Sequence, residues 1–402
     1  MTIPTAIAAL GSSPFTEANL RAHIFPLFSK TLASPTIYLE NHSLGRPLDQ
    51  TEDDLRLAAQ LWQTKIGGAW EDWNAAEHDH RANIATLIGS PRPDTVVPKV
   101  SAGQGLRSVL NAHSGIPHVI ATTAEFDSID VILKQYAAAG RITLSLIPIH
   151  DASGNIDLSA LYESIAAEKP TLVCAPHVLF MTSQILPDIA ALIAHTHAHG
   201  ARFLLDAYHS IGVFPVDIAQ LNADFLVGGS YKYLRGGPGA AFLYLSPSAL
   251  ESNLHQLDIG WFAKANVFGF DRSNPPILAT GGNAWLESTP APFTYYQAKA
   301  GQQLALALGI DRIRTYTLDR LTRLKNYLAD AGIAVYGATE NHGAFLTLPH
   351  PEAAQLCAAL REQNIATDAR PQTLRLGPDL LTTDADLKTT ATVLATLLTR
   401  NS

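Results

Sequence analysis

Only two of the 402 residues are cysteine, so Cys174 and Cys357 can build neither a disulfide framework nor a four-cysteine metal site. Charge is sparse as well. Asp, Glu, Lys and Arg make up 16% of the chain, and the formal net charge is -8. That sign disfavours a nonspecific nucleic-acid surface and leaves room for a local basic pocket able to hold one phosphate. No apolar run reaches the roughly eighteen residues read as a membrane-spanning helix. The start, Met1-Thr2-Ile3-Pro4-Thr5, lacks the basic n-region and apolar stretch of a secretion signal. The expectation is a cytoplasmic protein with no membrane and no nucleic-acid partner. What the chain does have is apolar mass: 47% of its residues are hydrophobic, enough to bury a substantial core. Its length fits one large domain with a smaller companion, or two comparable ones.

Residues 1–50 are irregular and turn-rich. Thr51 followed by Asp54 has the form of a capping box, opening an amphipathic helix that carries Leu55, Ala58, Leu61 and Trp62 and leaves at Gly67-Gly68. A second helix is expected from about Asn74 to Leu87, before Gly89-Ser90-Pro91. Beyond it the pattern changes. Short apolar runs at 96–97, 118–122, 142–147, 171–175, 202–206, 224–227 and 240–245 alternate with helix-like stretches at 105–112, 128–139, 158–167 and 185–199. Strands alternating with helices predict an α/β fold: a large, mainly parallel sheet covered on both faces, with ligands beyond the carboxyl ends of its strands. Residues 246–290 read as an irregular connector rich in aromatic residues. Helices at 293–308 and 311–331 follow, then strands at 333–336, 344–348 and 373–376 around a helix at 352–363, which together read as a smaller α+β lobe. The expected division is 1–50 as an N-terminal segment at the small domain or the site rim, 51–290 as the large domain and 291–402 as the C-terminal domain.

Two polar centres stand at successive strand exits. Asp206 ends the run Phe203-Leu204-Leu205, and Tyr231-Lys232-Tyr233 follows the next run and leads into Gly236-Gly237-Pro238-Gly239. Parallel strands bring such exits together. A lysine amine and an acid meeting there are the pair that pyridoxal-phosphate (PLP) chemistry requires, the amine to form a Schiff base and move protons, the acid to keep the pyridine nitrogen protonated. Plainer roles stay open at this point. Asp206 can cap a helix, His209 can be an ordinary satisfied histidine, Trp261 can pack the connector, Thr289 can prepare the turn at Pro290, Ser101 can serve as an N-cap, and Arg375 can make a routine salt bridge.

Metal binding is not expected. His78-Asp79-His80 and the alternating His195, His197 and His199 supply no convincing ligand set. Gly103-Gln104-Gly105 is no dinucleotide fingerprint. Cys174 reads as strand core and Cys357 as part of a helix, which argues against a persulfide-carrying loop cysteine.

The segments Asp206-Ala207-Tyr208-His209 and Ser230-Tyr231-Lys232-Tyr233-Leu234 resemble the cofactor motifs of the PLP-dependent fold-type-I superfamily, aminotransferase class V, and most closely the kynureninase family. In the same order along the chain, Tyr38-Leu39-Glu40-Asn41-His42-Ser43-Leu44-Gly45, Gly260-Trp261-Phe262, Ser288-Thr289-Pro290 and Arg375-Leu376-Gly377-Pro378 are similar to further family segments. The resemblance spans roughly residues 35–380. It implies Lys232 as the cofactor-bearing lysine, Asp206 as the partner of the ring nitrogen, and His209 and Phe126 beside the ring. Tyr231, Trp261 and Thr289 would hold the phosphate, part of that contact crossing a homodimer interface, with Ser101 and Ala102 at the first phosphate loop. His177 falls near a small polar cofactor residue, and Arg375 would take the substrate carboxylate.

The sequence also departs from the pattern. Ala102 has no hydroxyl, Phe126-Asp127-Ser128-Ile129-Asp130 lacks the family's proline and has Ile129 at its aspartate position, leaving Asp127 or Asp130 as the substitute, and Phe180-Met181-Thr182-Ser183 replaces a tyrosine-containing stretch. The implied activity is hydrolytic cleavage of the Cβ–Cγ bond of kynurenine or 3-hydroxykynurenine, with Tyr231 as provisional proton donor; transamination or lyase chemistry on another amino acid is the alternative.

Overall fold

The structure is a computed structural model that describes residues 1–151 and 153–400. At its centre lies a seven-stranded sheet in the order Val96–Lys99, Ala241–Leu245, Phe225–Gly229, Arg202–Asp206, Leu172–Pro176, His118–Thr122, Thr143–Ile147. Neighbours from Phe225–Gly229 to Thr143–Ile147 are parallel, and Ala241–Leu245 runs antiparallel to both strands beside it. The central strands are continuous apolar runs because each face meets its own layer. Val173, Phe203 and Leu205 pack with Leu161, Ile165, Ile189 and Leu192 on one side. Leu172, Cys174 and Leu204 pack with Leu106, Val109, Ile129 and Leu133 on the other. Each fully buried Leu, Ile or Phe contributes about 1.5–3 kcal/mol, so these two layers carry most of the large domain's apolar stabilisation.

A smaller α+β unit follows. Its antiparallel sheet runs Asp368–Arg370, Thr373–Leu376, Leu346–Pro349, with the helices Ile310–Asp330, Ala353–Glu362 and Asp384–Arg400 around it. The N-terminal segment belongs to this neighbourhood, for Ile37–Tyr38 forms a parallel pair with Ile365–Ala366. The expected α/β class, a large sheet domain with a smaller α+β C-terminal domain, is therefore the observed one.

Local expectations differ in three places. Residues 1–50, expected to be irregular, form the helices Ile3–Leu10 and Glu17–His23, the second opened by a Thr16–Asn19 capping box. The helix Gln50–Lys65 begins before Thr51 and has no side-chain cap. Asp49, just ahead of it, spends its carboxylate on the amides of Ser29 and Lys30 at 2.9 and 3.0 Å, while the buried Thr51 hydroxyl has no partner among the described residues. The Thr51–Asp54 capping box does not form because the chain arrives already helical at Asp49. The strand expected at 333–336 reduces to a single bridge between Tyr336 and Thr347. Among the described residues no helix is long and apolar enough to cross a membrane.

Candidate active site

Asp206 is the last residue of its strand, and Lys232 stands three residues beyond Gly229 on the neighbouring one. The lysine loop is closed on itself: Ser230 N donates to Ala240 O and Gly236 N to Ser230 O, both at 2.7 Å. It is also covered. Gly45 N donates to Tyr231 O at 2.8 Å, and a Cβ at Gly45 would lie 1.9 Å from the Lys232 carbonyl oxygen. Only glycine lets the N-terminal segment cross there. At Gly229 a Cβ would meet the Tyr208 ring at 2.5 Å, so that glycine makes room for the tyrosine.

Beyond these strand ends lies a cavity of about 570 Å³ lined by Ser43, Leu44, Ser101, Ala102, Arg107, Phe126, Ser128, Phe180, Asp206, Tyr208, His209, Tyr231 and Lys232, among others. Lys232 is 5% exposed, and its Nζ lies 2.8 Å from His209 Nε2. The rings of Phe126, Tyr208 and Tyr231 stand about it, with centroids 5.5, 5.5 and 5.6 Å from Nζ. Burial lowers its pKa to about 7, the Asp206 charge opposing and the Arg375 and Arg370 charges adding to the shift. Burial also raises the Asp206 carboxyl, an effect that the Tyr208 amide, donating to Oδ1 at 2.9 Å, and the lysine charge offset in part. Behind His209, Nδ1 lies 3.2 Å from the Tyr233 hydroxyl, which fixes the ring.

An amine with a depressed pKa is a free nucleophile at neutral pH. Cofactor-free protein should capture an added small aldehyde at Lys232 at a rate that rises with pH to a midpoint about 7, because only the neutral amine attacks. Borohydride trapping across pH measures this. A midpoint near the ordinary lysine value would show that the amine is not desolvated.

The cavity brings together Lys232, Asp206, His209, Tyr231, Phe126, Ser101 and Ala102 from the sequence-derived set. Ser101 is the N-cap of the helix Ala102–Ala112, its side chain accepting from Gln104 N at 3.1 Å. Four others do not line this cavity. The His177 ring stands edge-on to Phe214 at 5.1 Å, with its amide donating to the Asp206 carbonyl at 2.8 Å. Trp261 Nε1 donates to Thr289 Oγ1 at 3.3 Å. Their surroundings are an aromatic cluster with Trp70, Phe262, Phe268 and the 69%-exposed Phe270. Thr289 lines a second cavity of about 210 Å³, whose wall shares Val100 and Gly239 with the first. Arg375 is 1% exposed and donates to Asp368 Oδ2 at 2.7 Å.

Sequence reasoning assigned no role to Tyr208, Arg107 or Glu125. Tyr208 could have been found from its place two residues past Asp206. Arg107 lies one helical turn past Gly103, close enough that a Cβ there would be 3.4 Å from its guanidinium. Glu125 is buried, accepts from Thr122 Oγ1 at 2.9 Å and has its pKa raised to about 8 by burial and then by the Asp206 charge; nothing in its sequence neighbourhood announces that. Among the described residues no group of His, Cys, Asp and Glu could hold a metal.

Residues 63–375 match the Aminotransferase class-V family, and the chain belongs to that family. It shares its fold with solved structures such as apo cysteine desulfurase from Thermococcus onnurineus NA1 (TM-score 0.79, 19% identity, 92% of this chain and 96% of that one). The cysteine desulfurase CsdA from Escherichia coli is another (TM-score 0.77, 18% identity, 96% and 98%). More narrowly, the chain is a fold-type-I, PLP-dependent superfamily protein related to kynureninase sequences at low identity. Kynureninase of Geobacillus thermodenitrificans (strain NG80-2) is 27% identical over 87% of this chain and 85% of its own length. An uncharacterized aminotransferase, YcbU, of Bacillus subtilis (strain 168) is 26% identical over 80% and 84%.

Proposed function

We propose that this chain is a kynureninase-type hydrolase that uses PLP to cleave the Cβ–Cγ bond of L-kynurenine or 3-hydroxykynurenine, giving alanine and anthranilate or 3-hydroxyanthranilate. The observation that carries the reading is the Lys232 amine, held 2.8 Å from His209 with its pKa lowered by burial to about 7, sharing one cavity with the buried Asp206. That donor set fits PLP. Lys232 would attach its aldehyde, Asp206 would keep the ring nitrogen protonated, and Phe126 and His209 would flank the ring. Ser101 and the first amides of the helix Ala102–Ala112 would hold the phosphate, Ala102 contributing its amide alone.

PLP supplies an electron sink for the pair left when a substrate proton departs. The protein does the rest. Lys232 moves the proton at the substrate α-carbon, and its low pKa suits it to both directions of transfer. Arg375 receives the substrate carboxylate. Tyr231 is the proposed proton donor when water adds to the γ-carbonyl and the Cβ–Cγ bond breaks. His177, directed at Phe214, serves by fixing the end of the Asp206 strand. The Trp261–Thr289 pair, on an exposed aromatic surface, is proposed to serve the phosphate site of a second copy, which makes the working unit a homodimer. The division into residues 1–50, 51–290 and 291–402 is proposed on the same footing, the first and last covering the site formed by the second.

Incubating the PLP-loaded protein with L-kynurenine should release anthranilate and alanine in equal amounts. A keto acid with transfer of the amino group would instead favour aminotransferase chemistry. That second reading draws on the altered stretch Phe126 to Asp130, of which Phe126 and Ser128 line the cavity. Desulfurase chemistry finds no support: Cys357 sits in the helix Ala353–Glu362 and donates to Thr367 O at 3.0 Å.

A further inference from the structure

The guanidinium of Arg375 is already occupied by a carboxylate of its own chain. Nη2 donates to Asp368 Oδ2 at 2.7 Å and Nη1 to the Phe180 carbonyl at 2.6 Å. Strand register makes the pairing, because Asp368 stands directly opposite Arg375 between Asp368–Arg370 and Thr373–Leu376. The other oxygen of Asp368 accepts from Arg370 at 2.8 Å, and Ser43 Oγ donates to Oδ2. Ser43 and Phe180 also line the large cavity, so this ion pair lies immediately behind its wall.

One more group faces Asp368. His42 is wholly buried, with Nε2 3.9 Å from Asp368 Oδ2 and both ring nitrogens without a partner among the described residues. Its ring rests on Phe345 at 4.7 Å, and Gly377 packs so closely that a Cβ there would lie 2.5 Å from Nδ1. A buried imidazole left unsatisfied is unfavourable unless some other state supplies its partner. Asp368 is the nearest acceptor, and a small turn of its carboxylate away from Arg375 would reach His42 while Arg370 keeps hold of the far oxygen.

We propose that Asp368 is a displaceable stand-in for the substrate carboxylate: it occupies Arg375 until the carboxylate of an α-amino acid replaces it, and it then moves onto His42. This rests on the reading that Arg375 receives the substrate carboxylate. Asp368 is thus a positioning residue that sets how tightly any amino acid binds, since a ligand must compete with a carboxylate tethered beside its own site. Removing that competitor raises the binding-competent fraction and lowers the apparent dissociation constant in proportion.

The test uses PLP-loaded protein and L-alanine, which has no γ-carbonyl to cleave, with binding followed by the change in cofactor absorption. D368N is expected to bind L-alanine about tenfold more tightly, D368E to return to the wild-type value, and H42L to bind more weakly, each with unchanged affinity for PLP. Equal or weaker binding by D368N would mean that Asp368 only braces Arg375, and the proposal would be overturned. If D368N folds poorly, H42L decides, because it leaves the Arg375 ion pair intact; unchanged L-alanine binding in H42L overturns the exchange. R375Q separates the two levels. Loss of L-alanine binding in R375Q without tightening in D368N defeats the stand-in alone, whereas unchanged binding in R375Q defeats the reading of Arg375 itself.

Discussion

Replacing Lys232 by alanine should lower turnover of any substrate by at least about a thousandfold, because in the proposed mechanism the same amine both anchors the cofactor and moves the proton; positioned acid–base catalysis alone contributes roughly 10²- to 10⁴-fold. The fold should survive the change. Lys232 is buried, and its lowered pKa means that the folded state already disfavours its charged form, so removing it takes away a group the interior tolerates poorly. With cofactor absent from both, the variant is therefore expected to melt no lower than the parent, and after exposure to PLP it should lack the parent's borohydride-reducible adduct. The measurements are product formation, thermal melting and peptide mapping of the reduced protein. An adduct that persists in K232A, or turnover within tenfold of the parent, would move the chemistry to another residue.

The second large effect concerns stability. Asp379 is 7% exposed and lies between two guanidinium groups, Arg46 and Arg235, with both of its carboxylate oxygens engaged. Burial by itself would raise its pKa, but the two arginine charges outweigh burial and hold it at about 2. Asp379→Ala leaves both arginines buried without their counter-charge, and breaking a buried pair in this way costs about 3–5 kcal/mol. Urea denaturation of the variant measures it; a loss below about 1 kcal/mol would mean that water replaces the carboxylate. The pH dependence has a definite sign. The folded pKa lies below the ordinary carboxyl value of 3.8, so the contribution is complete above that value and is lost as pH falls towards about 2. Arg235 belongs to the loop that follows Lys232, so D379A should also weaken PLP retention.

How much of this could be read from sequence depends on the kind of order involved. Lys232 and Asp206 are legible because parallel strands carry their exits to one edge, a consequence of periodicity that needs no side-chain detail. Ser101 and Phe126 are legible through family resemblance, and both reach the cavity. Arg375 is legible as a residue but its surroundings are not. Its partner Asp368 is set by antiparallel register in a short hairpin, and Phe180 comes from the loop after the large-sheet strand Leu172–Pro176, distant in sequence. Tyr208 lies within the Asp206-Ala207-Tyr208-His209 motif, but a motif names residues without saying which way they point, so its place at the cavity wall is not legible there. Glu125 and His42 are hidden for a different reason. Their character comes from desolvation, which is a property of everything packed around them and of no local pattern. Thr51 shows the reverse case, a clear local signal defeated because the chain is already helical at Asp49 and Thr51 falls inside the first turn.

The pairing of Ile37–Tyr38 with Ile365–Ala366 has a consequence for how the molecule is made. The early strand is made well before its partner, so until Ile365–Ala366 has emerged it is an exposed edge without a mate. The segment that crosses the lysine loop at Gly45 is tethered by that strand. All seven strands of the large sheet lie between the two halves of this pair, so that sheet can assemble on the nascent chain with its lysine still open, and the roof over it closes only once Ile365–Ala366 has been made.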